Sequence, residues 1–283
     1  MKRKESEKVG VIMVKMRSAV VVGATGLVGS ELVKQLCDNP YYISVTTLTR
    51  RPFSFSHKKL TKQIVDFDGL QERDFGYAED VFCCLGTTRK KAGTREEFEK
   101  VDVEYPLRVA QIAKKLGANH FIVISAMGAN ERSAAYYNRV KGKLEKELME
   151  LELPRLSIVR PSLLVGKRDE FRFGEKMGEG ALKVLNPALF GPLKKYRSIE
   201  ASQVAEAMIW IALYSERAAV AVYESGHLAQ LKLPPVEEVF QQTGERGFDW
   251  SKLDDDVPPL DEEVVFDRSK IKTVDDKPLR DEQ

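Results

Sequence analysis

Short apolar runs alternate with helical stretches from residue 18 to residue 161, and this alternation restricts the fold more than any other feature. The runs are SAVVVGA (18–24), ISVTTLTR (43–50), QIVDF (63–67), DVFCCLG (80–86), HFIVISA (120–126) and RLSIVRP (155–161). Between them lie LVGSELVKQL, VDVEYPLRVAQIAKKLG and SAAYYNRVKGKLEKELMEL, each with apolar residues at helical spacing. Strands separated by helices are joined by crossovers, which make them parallel and cover both faces of the sheet. DVFCCLG contains a continuous apolar run, as expected for a strand of a parallel sheet. The expected fold is α/β, a doubly wound parallel sheet.

The first strand runs straight into VVVGATGLVG, where Gly23, Gly26 and Gly29 stand between strand and helix. Glycines in that position permit a tight turn and let backbone approach a pyrophosphate seated on the helix N-terminus. The context makes this a Rossmann fold and a dinucleotide site, rather than a bare strand–helix turn. The end of the second strand discriminates between dinucleotides. An acid about 20 residues beyond the glycines accompanies an unphosphorylated ribose. Here TTLTRRPF has no acid and places Arg50 and Arg51 there instead. Guanidinium groups grip phosphate through paired hydrogen bonds, so NADP(H) is expected over NAD(H).

Tyr137 and Lys141 are one helical turn apart on a shared face, whereas Tyr136 has Val140 at that offset. A tyrosine phenol titrates near pH ~10 in solution, and a neighbouring ammonium stabilises its phenolate. The same lysine can reach a cofactor ribose. Ser125 ends the fifth strand, 12 residues before Tyr137, at the edge where open α/β sheets bind ligands. A serine there can orient a substrate carbonyl. Tyr137, Lys141 and Ser125 are therefore the expected catalytic residues, with Tyr136 in packing or at the surface.

The ordered set GATGLVG, TRR, CCLGTTRKKAG, ISAMGA, YNRVK and VRPSLLVG resembles the short-chain dehydrogenase/reductase superfamily. Within it, the resemblance is to the atypical members related to the Tat-interacting protein (CC3), over roughly residues 18–240. The resemblance implies NADP(H) binding, with glycine-loop contacts at Gly23, Thr25, Gly26, Leu27, Val28 and Gly29. It implies phosphate contacts at Arg50 and Arg51, and an adenine contact at Asp66 with Phe67. Leu85, Gly86 and Thr87 would line the cofactor, Lys141 would hold its ribose, and Pro161, Leu163 and Leu164 would flank the nicotinamide. Relatives often end the fifth strand with two serines; this chain has Ser125 and then Ala126. The implied activity is oxidoreduction at a CH–OH or C=O group, and a non-catalytic NADP(H)-binding regulator is the alternative. A sugar-nucleotide epimerase shares the glycine spacing, but the segment after Pro161 is short for a sugar-nucleotide domain.

Composition narrows the remainder. The chain has 283 residues, 43% hydrophobic and 31% charged, with a net charge of +2, so nucleic acid is not an expected partner. The expected partner is a small-molecule substrate, with room for a protein partner or a homo-oligomer. No apolar run is long enough for a membrane span. The N-terminus lacks the apolar core of a signal peptide, and Met13 and Met16 are alternative starts. Three cysteines, Cys37, Cys83 and Cys84, suit a reducing compartment, and a cytoplasmic location is expected. Cys83 and Cys84 sit inside an apolar strand and read as core, and Arg89, Lys90 and Lys91 as a solvated basic loop.

Charge is uneven along the chain: residues 1–17 carry +4 and residues 245–283 carry −6. The expected organisation is a flexible basic extension (1–17), a dinucleotide-binding domain (18–242) and an acidic, unstructured tail (243–283). A small C-terminal segment on the substrate side holds a helix over 171–185, a second helix in SIEASQVAEAMIWIALYSE and a late strand in AVAVYES. Phe171, Phe173 and Phe190 fall where a substrate lid would sit.

Overall fold

A computed structural model describes residues 11–14, 16–166, 197–215, 218–234 and 264–267. The expected helix over 171–185 and the three lid phenylalanines lie outside the described residues. Two compact units are present. One is Arg17–Leu233; the other joins Met1–Met16 to Pro234–Gln283.

The large unit is built on one parallel sheet. Its strands are β2 (Arg17–Val22), β3 (Tyr42–Thr49), β4 (Leu60–Ile64), β5 (Asp80–Cys83), β6 (His120–Ile124), β7 (Leu156–Arg160) and β10 (Val220–Glu224). Their spatial order is β10-β7-β6-β5-β2-β3-β4, and every neighbouring pair is parallel. The chain starts in the middle at β2, moves outward through β3 and β4, and then returns to β2's other side at β5. The order therefore reverses between β2 and β5, which opens a crevice at their carboxyl ends. A short parallel pair, β8 (Leu164–Val165) with β9 (Ile199–Glu200), follows β7.

Helices cover both faces. Val20, Val22, Val81, Cys83 and Val123 point to one side, where they pack with Phe98 of α3 (Arg95–Glu99), Val109 of α4 (Tyr105–Lys115) and Val140, Leu144 and Leu148 of α5 (Tyr136–Glu150). Ala19, Val21, Phe82 and Ile122 point to the other. There they meet Leu32 and Leu36 of α1 (Leu27–Asp38), Val204 and Met208 of α6 (Ala201–Tyr214), and Leu228 of α7 (Ser225–Leu228). Alternate residues of one strand thus feed two separate cores, which is why the central strands are apolar after their first residues. The expected doubly wound sheet is the observed one.

Three local features differ from the expectation. β4 ends at Ile64, so VDF of the expected strand is not in it. Phe67, beyond the strand end, is buried and stacks on Tyr105, with ring centroids 5.4 Å apart. The segment before α4 winds as one π turn, Lys100–Glu104. In the smaller unit, β1 (Val11–Val14) pairs antiparallel with β11 (Val264–Asp267), so the two terminal regions share a strand pair that local composition does not announce.

Candidate functional site

The crevice between β2 and β5 is closed at its base by Gly23. This residue has φ +82°, and a Cβ on it would stand 2.5 Å from the carbonyl carbon and oxygen of Cys84. A Cβ at Gly29 would stand 2.2 Å from the Gly23 carbonyl oxygen, and one at Gly26 3.2 Å from it. Gly23 and Gly29 therefore have no room for a side chain, and Gly26 is tight against the same Gly23 carbonyl that crowds Gly29. α1 starts at Leu27 with no side chain capping its first N–H groups and no acid in its first turn. Uncapped N–H groups beside a cradle of this shape suit a pyrophosphate, so the loop fits the dinucleotide that the sequence implies. Thr25 and Gly26 are exposed, Leu27 is half-buried, and Val28 and Gly29 pack inward.

Arg50 and Arg51 follow β3 directly and are both exposed. Asp66 is exposed, with its carboxylate accepting from the Asp68 backbone N–H at 3.0 Å. Phe67 offers only backbone to an adenine, because its ring is buried against Tyr105. The loop carrying both is clamped from the π turn and α4. Arg108 donates to the carbonyl oxygens of Phe67 and Asp68, and Lys100 and Tyr105 hold the Asp68 carboxylate.

Leu85, Gly86 and Thr87 leave β5 at the crevice. The Thr87 N–H donates to Asp102 Oδ2 at 2.8 Å, and Asp102 Oδ1 lies 2.8 Å from Lys141 Nζ. Both charged side chains are almost wholly buried, at 1% and 3% exposure. The contact is a close, buried ion pair. Burial presses the Lys141 ammonium toward lower pKa. The Asp102 carboxylate, and then Tyr137, outweigh it and hold the group above its ordinary value. Asp102 has no counterpart among the expected site residues.

Tyr137 stands one turn above Lys141 with 43% of its surface exposed, its ring edge-on to Phe98 at 6.1 Å. Tyr136 is engaged elsewhere: its hydroxyl reaches Glu99 Oε1 at 3.1 Å and the Arg95 carbonyl at 3.3 Å, and the guanidinium groups of Arg95 and Arg139 lie over its ring. Of the two tyrosines, only Tyr137 therefore presents a hydroxyl with no hydrogen-bond partner among the described residues. Gly142, next to Lys141, lets α5 press on the preceding loop; a Cβ there would stand 2.2 Å from the Glu131 nitrogen.

Ser125 differs from expectation. It is 3% exposed, and its hydroxyl donates to Glu145 Oε1 at 2.5 Å. Glu145 is itself buried on α5 and paired with Arg160, which also reaches Glu224 at 2.9 Å. The hydroxyl proton is spent in this network, so Ser125 as it stands cannot donate to a carbonyl. Pro161 is buried behind it and Leu163 is 49% exposed, while Leu164 lies in β8. Cys83 and Cys37 are buried free thiols, pushed up by that burial to about 12 and about 11, so neither is a ready nucleophile. No cluster of His, Cys, Asp or Glu among the described residues could hold a metal, and no described helix is long and apolar enough to cross a membrane.

Comparison with known proteins agrees with this geometry. Residues 23–209 match the NAD(P)H-binding family. The chain is 38% identical over 164 residues to protein HTATIP2 of Rattus norvegicus, spanning 56% of this chain and 67% of that protein. It is 37% identical over 159 residues to protein FMP52, mitochondrial, of Debaryomyces hansenii, spanning 54% and 69%. Among solved structures, MoeE5 in complex with UDP-glucose and NAD superposes with a TM-score of 0.56 at 16% identity, covering 80% of this chain and 82% of that one. That likeness establishes the shared fold.

Proposed function

Because the chain belongs to the NAD(P)H-binding family and is a relative of HTATIP2 and FMP52, we propose that it is an NADP(H)-dependent oxidoreductase acting on a carbonyl or alcohol. The observation that carries this reading is the placement of Tyr137 and Lys141. They share one face of α5, and Lys141 Nζ lies 3.9 Å from where a Gly86 Cβ would be, at the strand end that opens into the crevice.

When bound, the cofactor supplies or takes a hydride. The chain's own residues do the rest. Lys141 holds a ribose hydroxyl and presents positive charge to the Tyr137 oxygen. Tyr137 passes a proton to, or takes one from, the substrate oxygen. Ser125 enters as an acceptor, since its hydroxyl already donates to Glu145. That suits an alcohol hydroxyl; a carbonyl would require the bond to Glu145 to open. Arg50 and Arg51 make no ion pair with other described residues and support NADP(H) over NAD(H). A reducing compartment fits the three free cysteines, and the proposed location is the cytoplasm; fractionation against a mitochondrial marker tests it, because the fungal relative is named mitochondrial.

The engaged serine favours one second reading, a non-catalytic NADP(H)-binding regulator. NADPH oxidation over a panel of aldehydes, ketones and quinones separates the two, with wild type beside Tyr137→Phe. The enzyme reading expects turnover that drops about 100-fold or more in the variant, the scale of a lost general acid, with NADPH affinity intact. Full turnover in Tyr137→Phe would refute the role of the pair.

A further inference from the structure

An ammonium group sealed from water loses its charge unless a counter-charge accompanies it. Lys141 has such a counter-charge in Asp102, and the surroundings suggest more than charge balance. Asp102 sits between two apolar residues, Val101 and Val103, both buried. It is carried by the π turn Lys100–Glu104, a wider winding than α-helix that recurs at functional sites. One carboxylate oxygen takes the Thr87 N–H and the other faces Lys141. A single side chain thus joins three separate pieces of the crevice: the loop after β5, the turn before α4, and the reactive face of α5. Gly86 stands over the junction, since a Cβ on it would be 3.5 Å from Asp102 Oδ1 and 3.9 Å from Lys141 Nζ. One N–H of the Lys141 ammonium faces Asp102 Oδ1, 2.8 Å away. The other two N–H directions are left for a ribose hydroxyl and for Tyr137.

We propose that Asp102 is a positioning residue of the dinucleotide site: it keeps Lys141 charged and fixes it to the Gly86-Thr87 loop. The proposal rests on the reading of Lys141 as the ribose-binding lysine. It assigns Asp102 no contact with substrate.

Asp102→Asn separates the two tasks. The amide oxygen still accepts from Thr87, while the negative charge facing Lys141 is gone. Two readouts do not involve turnover. The first is the titration of the Lys141 side chain by heteronuclear NMR in the cofactor-free protein. The second is NADPH affinity by fluorescence at pH 6.5 and pH 9. In wild type, Lys141 stays charged to pH 9 and affinity differs little between the two pH values. In Asp102→Asn, Lys141 loses its proton within that interval, and NADPH binds at least about 10-fold more weakly at pH 9 than at pH 6.5, roughly the effect of one lost charge-assisted bond. If Lys141 stays charged and affinity stays flat in the variant, Asp102 is a structural residue and the proposal falls.

If Asp102→Asn does not fold, Asp102→Asn with Lys141→Met removes both charges together. Recovery of a folded protein supports the proposal, because it shows that Asp102 is needed for the charge of Lys141 and not for the turn; removing a buried pair whole is far milder than breaking it. A double variant that also fails to fold shows that Asp102 serves the turn itself, and overturns the proposal. None of these measurements depends on finding a substrate. Full turnover in Tyr137→Phe would refute the catalytic reading without changing any of them.

Discussion

The α-carbon of Gly23 points at the backbone of Cys84, so closely that a methyl group there would stand 2.5 Å from the Cys84 carbonyl. This contact joins the ends of β2 and β5 at the point where the sheet order reverses, and it makes the cofactor crevice narrow at its base. Gly76 offers the control: its φ is +70°, yet nothing lies within 4 Å of a Cβ built on it. Gly76→Ala should cost about 1–2 kcal/mol, the strain of a left-handed residue. Gly23→Ala bears the same strain and must also move a strand end. It should unfold at distinctly lower urea concentration than Gly76→Ala and lose at least about 10-fold in NADPH affinity, one lost interaction of 1.4 kcal/mol or more. Equal losses in the two variants would show that the crevice has room to spare.

Arg50 and Arg51 stand exposed at the end of β3, where neither makes an ion pair with other described residues. Their removal should therefore cost the fold little. Calorimetry on wild type should give tighter binding of NADPH than NADH. In Arg50→Ala/Arg51→Ala the NADPH affinity should fall about 10-fold or more, with NADH unchanged, since each charge-assisted bond contributes about 1.5–3 kcal/mol. Equal affinities in the wild type would remove the argument for phosphate recognition.

The sheet and its glycine loop were legible because their causes are local. A strand buried on both faces is mostly apolar, and turn positions where a Cβ would run into backbone, as at Gly23 and Gly29, must be glycine. Where burial has a distant cause, the sequence misleads. VDF after β4 has the composition of a strand, but Phe67 is apolar because Tyr105, 38 residues on, stacks against it. Asp102 reads as the polar side of an amphipathic helix, and only the arrival of Lys141 from α5 makes it a buried ion. Ser125 was readable as a strand-end hydroxyl. Its engagement with Glu145 depends on which side of α5 faces the sheet, and spacing alone does not fix that. A hint was present, since Glu145 falls one turn beyond Lys141 on the same inward stripe.

α4, which follows the turn that carries Asp102, steadies the loop proposed to meet the adenine. Arg108 donates to the Phe67 carbonyl at 2.9 Å and to that of Asp68, holding the loop that exposes Asp66. Arg108→Met keeps most of the stem and removes these bonds. Amide exchange at residues 66–69 should speed up, and NADPH affinity should fall by a few-fold, within the ~1 kcal/mol typical of one net hydrogen bond. Unchanged exchange would mean that Lys100 and Tyr105, through Asp68, suffice to hold the loop.

At the opposite end of the sheet, Asp80 and His120 stand in register on β5 and β6 and titrate in opposed directions. Burial, then the nearby Arg155 and Arg17, push His120 down to about 2. Its Nε2 lies 2.8 Å from Ser157 Oγ, and its Nδ1 is buried with no hydrogen-bond partner among the described residues. Burial raises Asp80 from 3.8 to about 6, although Arg17 and Tyr42 pull it back. For His120 the unfolded chain binds the proton first, so its contribution is whole above pH ~6.5 and is lost as pH falls from there toward 2. For Asp80 the folded chain binds first, so stability is gained as pH falls from about 6 to 3.8. Between those limits one proton is taken up by each state, and the two slopes cancel. Asp80→Asn removes the compensation. Relative to wild type, its stability should fall by about 1.4 kcal/mol for each pH unit between 6 and 4. His120→Gln should tilt the other way by the same amount. Urea unfolding at pH 7, 6, 5 and 4 reads both difference curves, and parallel curves for wild type and Asp80→Asn would show that Asp80 is ionised in the folded protein throughout.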